Sequence, residues 1–266
     1  MSKQLIKVVV SGACGKMGRE TAKAVAGAED MSLVGVCDVS AVGQSYAKVS
    51  GAADDNLVIR DDLAALVDEL RPDAVVDFTA PASAMGNIRI ILERGVSAII
   101  GTTGITKEDL KEIGALADKN SAAAAIIPNF AIGAVLMMKF AADAARYLPM
   151  VEIVELHHDK KIDSPSGTSI KTAEMISSAR DEAGFAPPPP IDGATARGFD
   201  ASGVRIHSVR LQGLVAHQEV IFGGQGQTLT IRHDSIDRTS FMPGVLLAIR
   251  KMQDVKGLIY GLENLL

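Results

Sequence analysis

The sequence predicts an α/β protein. A Rossmann-type domain with a parallel sheet is followed by an α+β domain whose sheet is mainly antiparallel. Three observations predict this. Strand-like and helix-like segments alternate from residue 5 to residue 127. The first strand runs into a glycine loop, Gly12-Ala13-Cys14-Gly15-Lys16-Met17-Gly18, that opens a helix. Beyond residue 200 the alternation gives way to a run of neighbouring strands, the pattern of a separate unit.

Residues 5–10, Leu-Ile-Lys-Val-Val-Val, are rich in β-branched side chains and predict a buried parallel strand. A helix over 16–27 ends at Gly27, and a second strand occupies 32–37. Asp61-Asp62 supplies an acidic first turn, favourable to the dipole, for a helix over 61–70. A strand at 74–78, a helix near 83–94, a strand at 96–100, a helix at 106–119 and a strand at 122–127 complete a doubly wound sheet. After Asn129-Phe130 come an apolar-faced helix over 131–146, a strand over 151–157 and a helix over 167–183. The proline run 187–190 and Asp192-Gly193 predict a rigid surface loop. Strands at 203–211, 214–222 and 226–233 are joined by short turns at Gln212-Gly213 and Gly223-Gly224. Helices at 239–252 and 257–266 return to the first domain. The chain therefore divides into residues 1–129 with 240–266, and residues 130–239.

Hydrophobic residues make up 47% of the 266, but aromatics only 4%, and tryptophan is absent, so the cores are aliphatic. A net charge of −5 argues against a general nucleic-acid binder, which needs a basic face. Cys14 and Cys37, the two cysteines, fit neither a disulfide scaffold nor a structural zinc site. The apolar run 130–138 stops at Lys139, too short to span a bilayer. These features predict a soluble, cytoplasmic protein with no membrane partner and no metal.

The glycine loop has the context that a dinucleotide site requires: a strand before, a helix after, and Asp38 twenty residues past Gly18 at the end of the next strand. Gly12, Gly15 and Gly18 permit the tight turn and the close approach of a pyrophosphate to the helix N-terminus. Ala13 stands where the usual frame has its first glycine. Asp38 is placed to take ribose hydroxyls. Val39 and Ser40 follow it, where an arginine would welcome a 2′-phosphate. NADH is therefore favoured over NADPH, although Lys16 stands within reach of a phosphate. Two further loops, Gly101-Thr102-Thr103 and Pro128-Asn129-Phe130, follow predicted strands at the edge where open α/β sheets bind ligands.

Residues 155–168 carry the densest chemistry: Glu-Leu-His-His-Asp-Lys-Lys-Ile-Asp-Ser-Pro-Ser-Gly-Thr. Histidine titrates near neutrality and suits proton donation. Lys161 brings positive charge, and the Ser-Pro-Ser-Gly-Thr segment reads as a helix entry whose amides bind anions. Gly167 admits a ligand close to the backbone, and Thr168 adds a hydroxyl. Such a set suits a small dianion whose reaction also needs a proton.

Taken in order, several motifs carry a family resemblance. They are Gly12-Ala13-x-Gly15-x-Met17-Gly18, Asp77-Phe78-Thr79, Gly101-Thr102-Thr103-Gly104, Asn129-Phe130, the His157-His158-x-x-Lys161-x-Asp163-x-Pro165-Ser166-Gly167-Thr168 run preceded by Glu155, and Phe241-x-Pro243-Gly244. Together they resemble the dihydrodipicolinate reductase family, also called 4-hydroxy-tetrahydrodipicolinate reductase, over nearly the whole chain. The resemblance implies a homotetramer with a Rossmann-type cofactor domain and a substrate domain whose sheet builds the subunit contacts. It implies NADH- or NADPH-dependent reduction of a cyclic dicarboxylate in lysine biosynthesis. It also implies roles: His157 as acid/base, Lys161 as proton donor, His158, Gly167 and Thr168 as substrate ligands, and Asp38 on the adenosine ribose.

Two alternatives are another two-domain NAD(P)-dependent dehydrogenase of amino-acid metabolism and a non-catalytic NAD-binding sensor. A semialdehyde dehydrogenase needs a nucleophilic cysteine in its second domain, and none follows Cys37. A sensor has no use for His157 with Lys161.

Overall fold

A computed structural model describes residues 5–51, 56–186 and 195–266. The loop expected over 187–193 lies outside the described residues. The described chain up to Phe130, together with Phe241–Leu266, forms one compact unit, and Ala131–Ser240 forms the other.

The first unit contains β1 (Ile6–Ser11), α1 (Lys16–Ala26), β2 (Met31–Cys37), α2 (Tyr46–Ser50), β3 (Ile59–Arg60), α3 (Leu63–Leu70), β4 (Ala74–Asp77), α4 (Pro81–Glu93), β5 (Ser97–Ile100), α5 (Lys107–Lys119) and β6 (Ala123–Ile126). The second contains α6 (Ile132–Ala145), β7 (Met150–His157), α7 (Gly167–Glu182), β8 (Phe199–Ala201), β9 (Val204–Arg210), β10 (Ala216–Gly224) and β11 (Gln227–Ser235). The chain then returns to the first unit as α8 (Met242–Lys251) and β12 (Gly257–Tyr260).

The first unit is built on a seven-stranded sheet in the order β12-β6-β5-β4-β1-β2-β3. All its neighbours pair in parallel. Its central strands are buried on both faces, which is why they read as unbroken apolar runs: Val8 to Val10 and Ala74 to Val76 have no exposed surface. The strand order reverses at β1, which has β2 on one side and β4 on the other. Such a reversal opens a crevice at the C-terminal strand ends, and the glycine loop leaves β1 there.

Helix ends follow local chemistry. Thr106 and Asp109 form a reciprocal capping box on α5. The acidic pair at 61–62 acts otherwise than its position in the sequence suggests. Helix α3 starts only at Leu63, and Asp62 is its cap, accepting from the Ala65 amide at 2.9 Å.

The expected helix over 257–266 is instead strand β12 followed by a single 3₁₀ turn at Leu262–Asn264. Gly257 and Gly261 have φ of +78° and +87°, which no helix accommodates, and the Leu-Ile-Tyr between them pairs with β6. The short elements α2, β3 and β8 were not anticipated, being five residues or fewer.

The second unit has a five-stranded sheet in the order β11-β10-β7-β9-β8. Only β7 and β9 run parallel; the other pairs are antiparallel. The three late strands do not form a simple meander, because β7 lies between β9 and β10. Helices α6 and α7 cover one face, where Ile153, Ile206, Val220 and Phe222 are buried. Glu155 shares that face with Ile153, two residues away on β7. No helix among the described residues is long and apolar enough to cross a membrane.

Candidate active site

In the first unit, β1 ends at Ser11 and turns at Gly12, whose φ is +76°. A Cβ on Gly12 would stand 2.6 Å from the Phe78 carbonyl, and one on Gly18 would stand 2.0 Å from the Gly12 carbonyl. Glycine is therefore required at both places, at the first for the turn and at the second for packing α1 against the loop. Helix α1 has Gly15 at its N-cap and no side-chain capping bond, so its first turn is not sealed by a side chain.

A cleft of about 570 Å³ opens over this loop. Gly12, Cys14, Gly15 and Asp38 line it, as do Arg19, Phe78 and Thr79. The Asp38 carboxylate accepts from the Cys14 amide and the Ser40 amide, each at 2.8 Å, so it also fixes the loop. Tyr46 braces the loop from below by donating to the Ala13 carbonyl at 2.9 Å. Ala13 itself is buried in the core, and Lys16 and Met17 lie on the first turn of α1 outside the cleft lining. Burial, with Asp38 nearby, pushes the Cys37 thiol up to about 12. Burial also raises Cys14, so neither is a nucleophile at neutral pH.

The predicted loops after β5 and β6 are joined to this edge by packing and by one buried acid. The Phe78 ring stands where a Cβ on Gly101 would fall, at 2.1 Å, and packs on Phe130 with ring centroids 5.5 Å apart. Asp77, with no exposed surface, accepts from the hydroxyls of Thr79 at 2.7 Å and Thr102 at 2.9 Å and from the Asn87 amide at 2.8 Å. The Thr102 hydroxyl thus ties two loops together, and Thr103 is exposed. Pro128 is exposed and Asn129 half-buried on the loop after β6. Sequence reasoning did not single out Tyr46, Asn87 or Arg19, because each acts through a contact that only the fold creates.

In the second unit, β7 delivers Glu155 and His157 to the same side of the sheet. His157 Nδ1 donates to Glu155 Oε2. Arg210, on the parallel strand β9, donates to both oxygens of Glu155, at 2.8 and 3.0 Å. Burial pushes the Glu155 carboxyl up, but the His157 and Arg210 donors outweigh it and hold it at about 2. Glu155 is therefore an anion at neutral pH.

After His157 the chain leaves the sheet. His158 is half-buried, and its carbonyl accepts from the Lys161 amide at 3.1 Å, so the lysines occupy a turn rather than a strand. Lys161 Nζ reaches both oxygens of Asp163 at 2.7 Å, and that bond holds the Asp163 carboxyl below its ordinary range. Ser166 caps α7 by accepting from the Ser169 amide at 3.2 Å. Ser169 and Thr172 are bonded to the buried Gln218 of β10, each at 2.8 Å, which anchors the start of α7 to the sheet. Gly167, the first residue of α7, has open space where a Cβ would stand. In the second unit His157 thus stands at the end of β7, Lys161 in the turn that follows, and Gly167 and Thr168 at the start of α7.

Family models for the N-terminus and C-terminus of dihydrodipicolinate reductase match residues 6–130 and 133–266. The chain belongs to the dihydrodipicolinate reductase family. It is 52% identical to the 4-hydroxy-tetrahydrodipicolinate reductase of Syntrophomonas wolfei, across 99% of this chain and 100% of that one. It is 50% identical to that of Moorella thermoacetica, across 98% of each. A solved dihydrodipicolinate reductase from Paenisporosarcina sp. TG-14, with dipicolinate bound, superposes with a TM-score of 0.85 at 44% identity, covering 99% of this chain and 100% of that chain. An amine dehydrogenase from Mycobacterium smegmatis shares the fold at 15% identity and a TM-score of 0.70, covering 96% of this chain and 94% of that chain. Membership makes this chain a pyridine-nucleotide-dependent reductase, and the cleft over the glycine loop of its first unit fits that chemistry.

Proposed function

We propose that this reductase converts 4-hydroxy-tetrahydrodipicolinate, with loss of water, to tetrahydrodipicolinate in the diaminopimelate route to lysine, as a cytoplasmic enzyme. The observation that carries the reading is the cluster at the end of β7: an imidazole held by a buried carboxylate, a lysine in the following turn, and a helix entry with open space over Gly167. The compound for which two relatives are named and the dipicolinate bound to the solved neighbour belong to the same cyclic dicarboxylate class.

In the first unit the cleft-lining Gly12, Cys14 and Gly15 would hold the nucleotide, with Ala13, Lys16, Met17 and Gly18 shaping the loop and helix start behind them, Asp38 on the ribose, and the loops 101–103 and 128–130 serving the nicotinamide. The bound reduced nicotinamide supplies the hydride. In the second unit His158 and the α7 entry at Gly167 and Thr168 hold the two carboxylates, favoured by the helix dipole. Hydride arrival at C4 of the conjugated imine drives electron density toward C3 and the ring nitrogen, and a proton is then needed. His157, with its Nδ1–H held by Glu155, gives that proton from Nε2 in its imidazolium form and is left as the Nδ1-protonated neutral ring, and Lys161 is the second proton donor.

His157→Gln is expected to lower kcat by about 10²-fold or more, the usual scale of general acid–base help, with NADH affinity nearly unchanged. A kcat within about twofold of the parent, on that scale, removes His157 from proton transfer.

NADH is the favoured donor. Asp38 repels a 2′-phosphate, and Val39 and Ser40 offer no compensating cation. Of the cations near the loop, Arg19 lines the cleft but is bonded to the Cys14 carbonyl at 2.8 Å, and Lys16 stands outside the cleft lining. Comparing kcat/KM for the two nucleotides checks this, and a clear NADPH preference reverses the assignment.

A further inference from the structure

We infer that Glu155 and Arg210 are positioning residues: they fix the His157 imidazole with Nδ1 protonated and Nε2 presented to the substrate, and they tie that ring to the Lys161 turn. The inference rests on the proposed role of His157 in proton transfer.

Glu155 has no exposed surface. A lone carboxylate in such a place is costly, and even a buried ion pair is often no more stabilising than apolar residues of the same volume. Here the arrangement also leaves Arg210 Nε buried without a partner among the described residues, a further cost. Stability alone is thus a weak reason for building it.

Its geometry gives a better one. On β7 the spacing of two residues puts Glu155 and His157 side by side, and the carboxylate accepts from Nδ1. A carboxylate only accepts, so it selects the ring form whose Nδ1 carries hydrogen. Arg210 stands opposite His157 on β9 and reaches diagonally to clamp both Glu155 oxygens. The same guanidinium donates to the Asp163 carbonyl at 2.7 Å. Asp163 in turn receives Lys161 Nζ on its carboxylate. One continuous set of bonds therefore runs from the His157 ring through Glu155 and Arg210 to the turn that carries Lys161.

The test is a double-mutant cycle in the full-length enzyme, with kcat, KM for both reactants and ¹⁵N NMR of the imidazole as readouts. In Glu155→Gln the amide nitrogen breaks one Arg210 bond whichever oxygen it replaces, and in place of Oε2 it also removes the acceptor of His157 Nδ1. We expect kcat to fall about 10- to 100-fold, as for other groups that orient a reacting histidine, with each KM within about threefold. In a His157→Gln background the same change should cost less than about twofold, because its route to the reaction has gone. The NMR should show Nδ1-protonated imidazole in the parent and loss of that preference in Glu155→Gln. If Glu155→Gln does not fold, Arg210→Lys, which keeps the charge but loses the fork, takes its place in the cycle. Equal losses of kcat in both backgrounds, or an unchanged kcat and tautomer, overturn the inference. An active His157→Gln enzyme would instead sink the proton-transfer reading, while the tautomer measurement still decides the orientation.

Discussion

At Gly167 two demands can be separated by one methyl group. The residue begins α7, and a Cβ there would meet nothing within 4 Å among the described residues. Alanine is the better helix former by up to about 1 kcal/mol, so Gly167→Ala should leave Tm unchanged or slightly raised. The added methyl would project into the space proposed for the substrate carboxylate, and KM for the dicarboxylate should rise several-fold. Thermal melts and initial rates on one preparation check both halves, and an unchanged KM would place the carboxylate elsewhere. The residue scale also shows what the sequence conveyed. Glu155 and His157 are two apart on a strand, so their shared face was legible from spacing, although only the histidine was singled out. Arg210 was not legible, since it lies 55 residues further on and meets Glu155 only because β9 pairs with β7.

Among elements, β7 is the one on which stability and pH meet. Its Glu155 carboxyl is depressed from 4.5 to about 2 in the folded chain. A depressed carboxylate contributes stability that is present above its unfolded value and is lost as pH falls toward the folded one. The stability due to Glu155 is therefore full above about pH 5 and drains away between there and about pH 2. Glu155→Gln has no such titration, so the Tm difference between parent and variant should shrink across that window. A gap that stayed constant from about pH 5 to about pH 2 would contradict the depressed carboxyl. Other elements show where periodicity suffices. The long helices and the buried parallel strands announce themselves, because their apolar runs are set by the layer on each face. Segments such as β3, with two residues, are too short to carry a period, and their pairing is set by neighbours rather than by their own composition.

For the molecule as a whole, the alternation of strand and helix was enough to foresee a doubly wound sheet, and the later strands a second sheet. The order within the second sheet was not foreseeable, because adjacency in the chain favours a meander and the fold places β7 between β9 and β10. At this scale we propose the homotetramer that the family resemblance implies. Light scattering after size exclusion should give four times the mass of one chain, and a monomer at micromolar concentration would remove that proposal.

Strand β12 has a consequence for how the chain comes to be folded. Its four residues cover the flank of β6, and Gly261 adds a bond from its amide to the Ile126 carbonyl at 2.8 Å. More than a hundred residues, the whole second unit among them, separate these two partners in sequence. A nascent chain emerging from the ribosome therefore carries β6 as a bare edge while all of the intervening unit is being made. The first unit therefore closes its sheet only after the second unit has been made, with a strand that follows that unit in the chain.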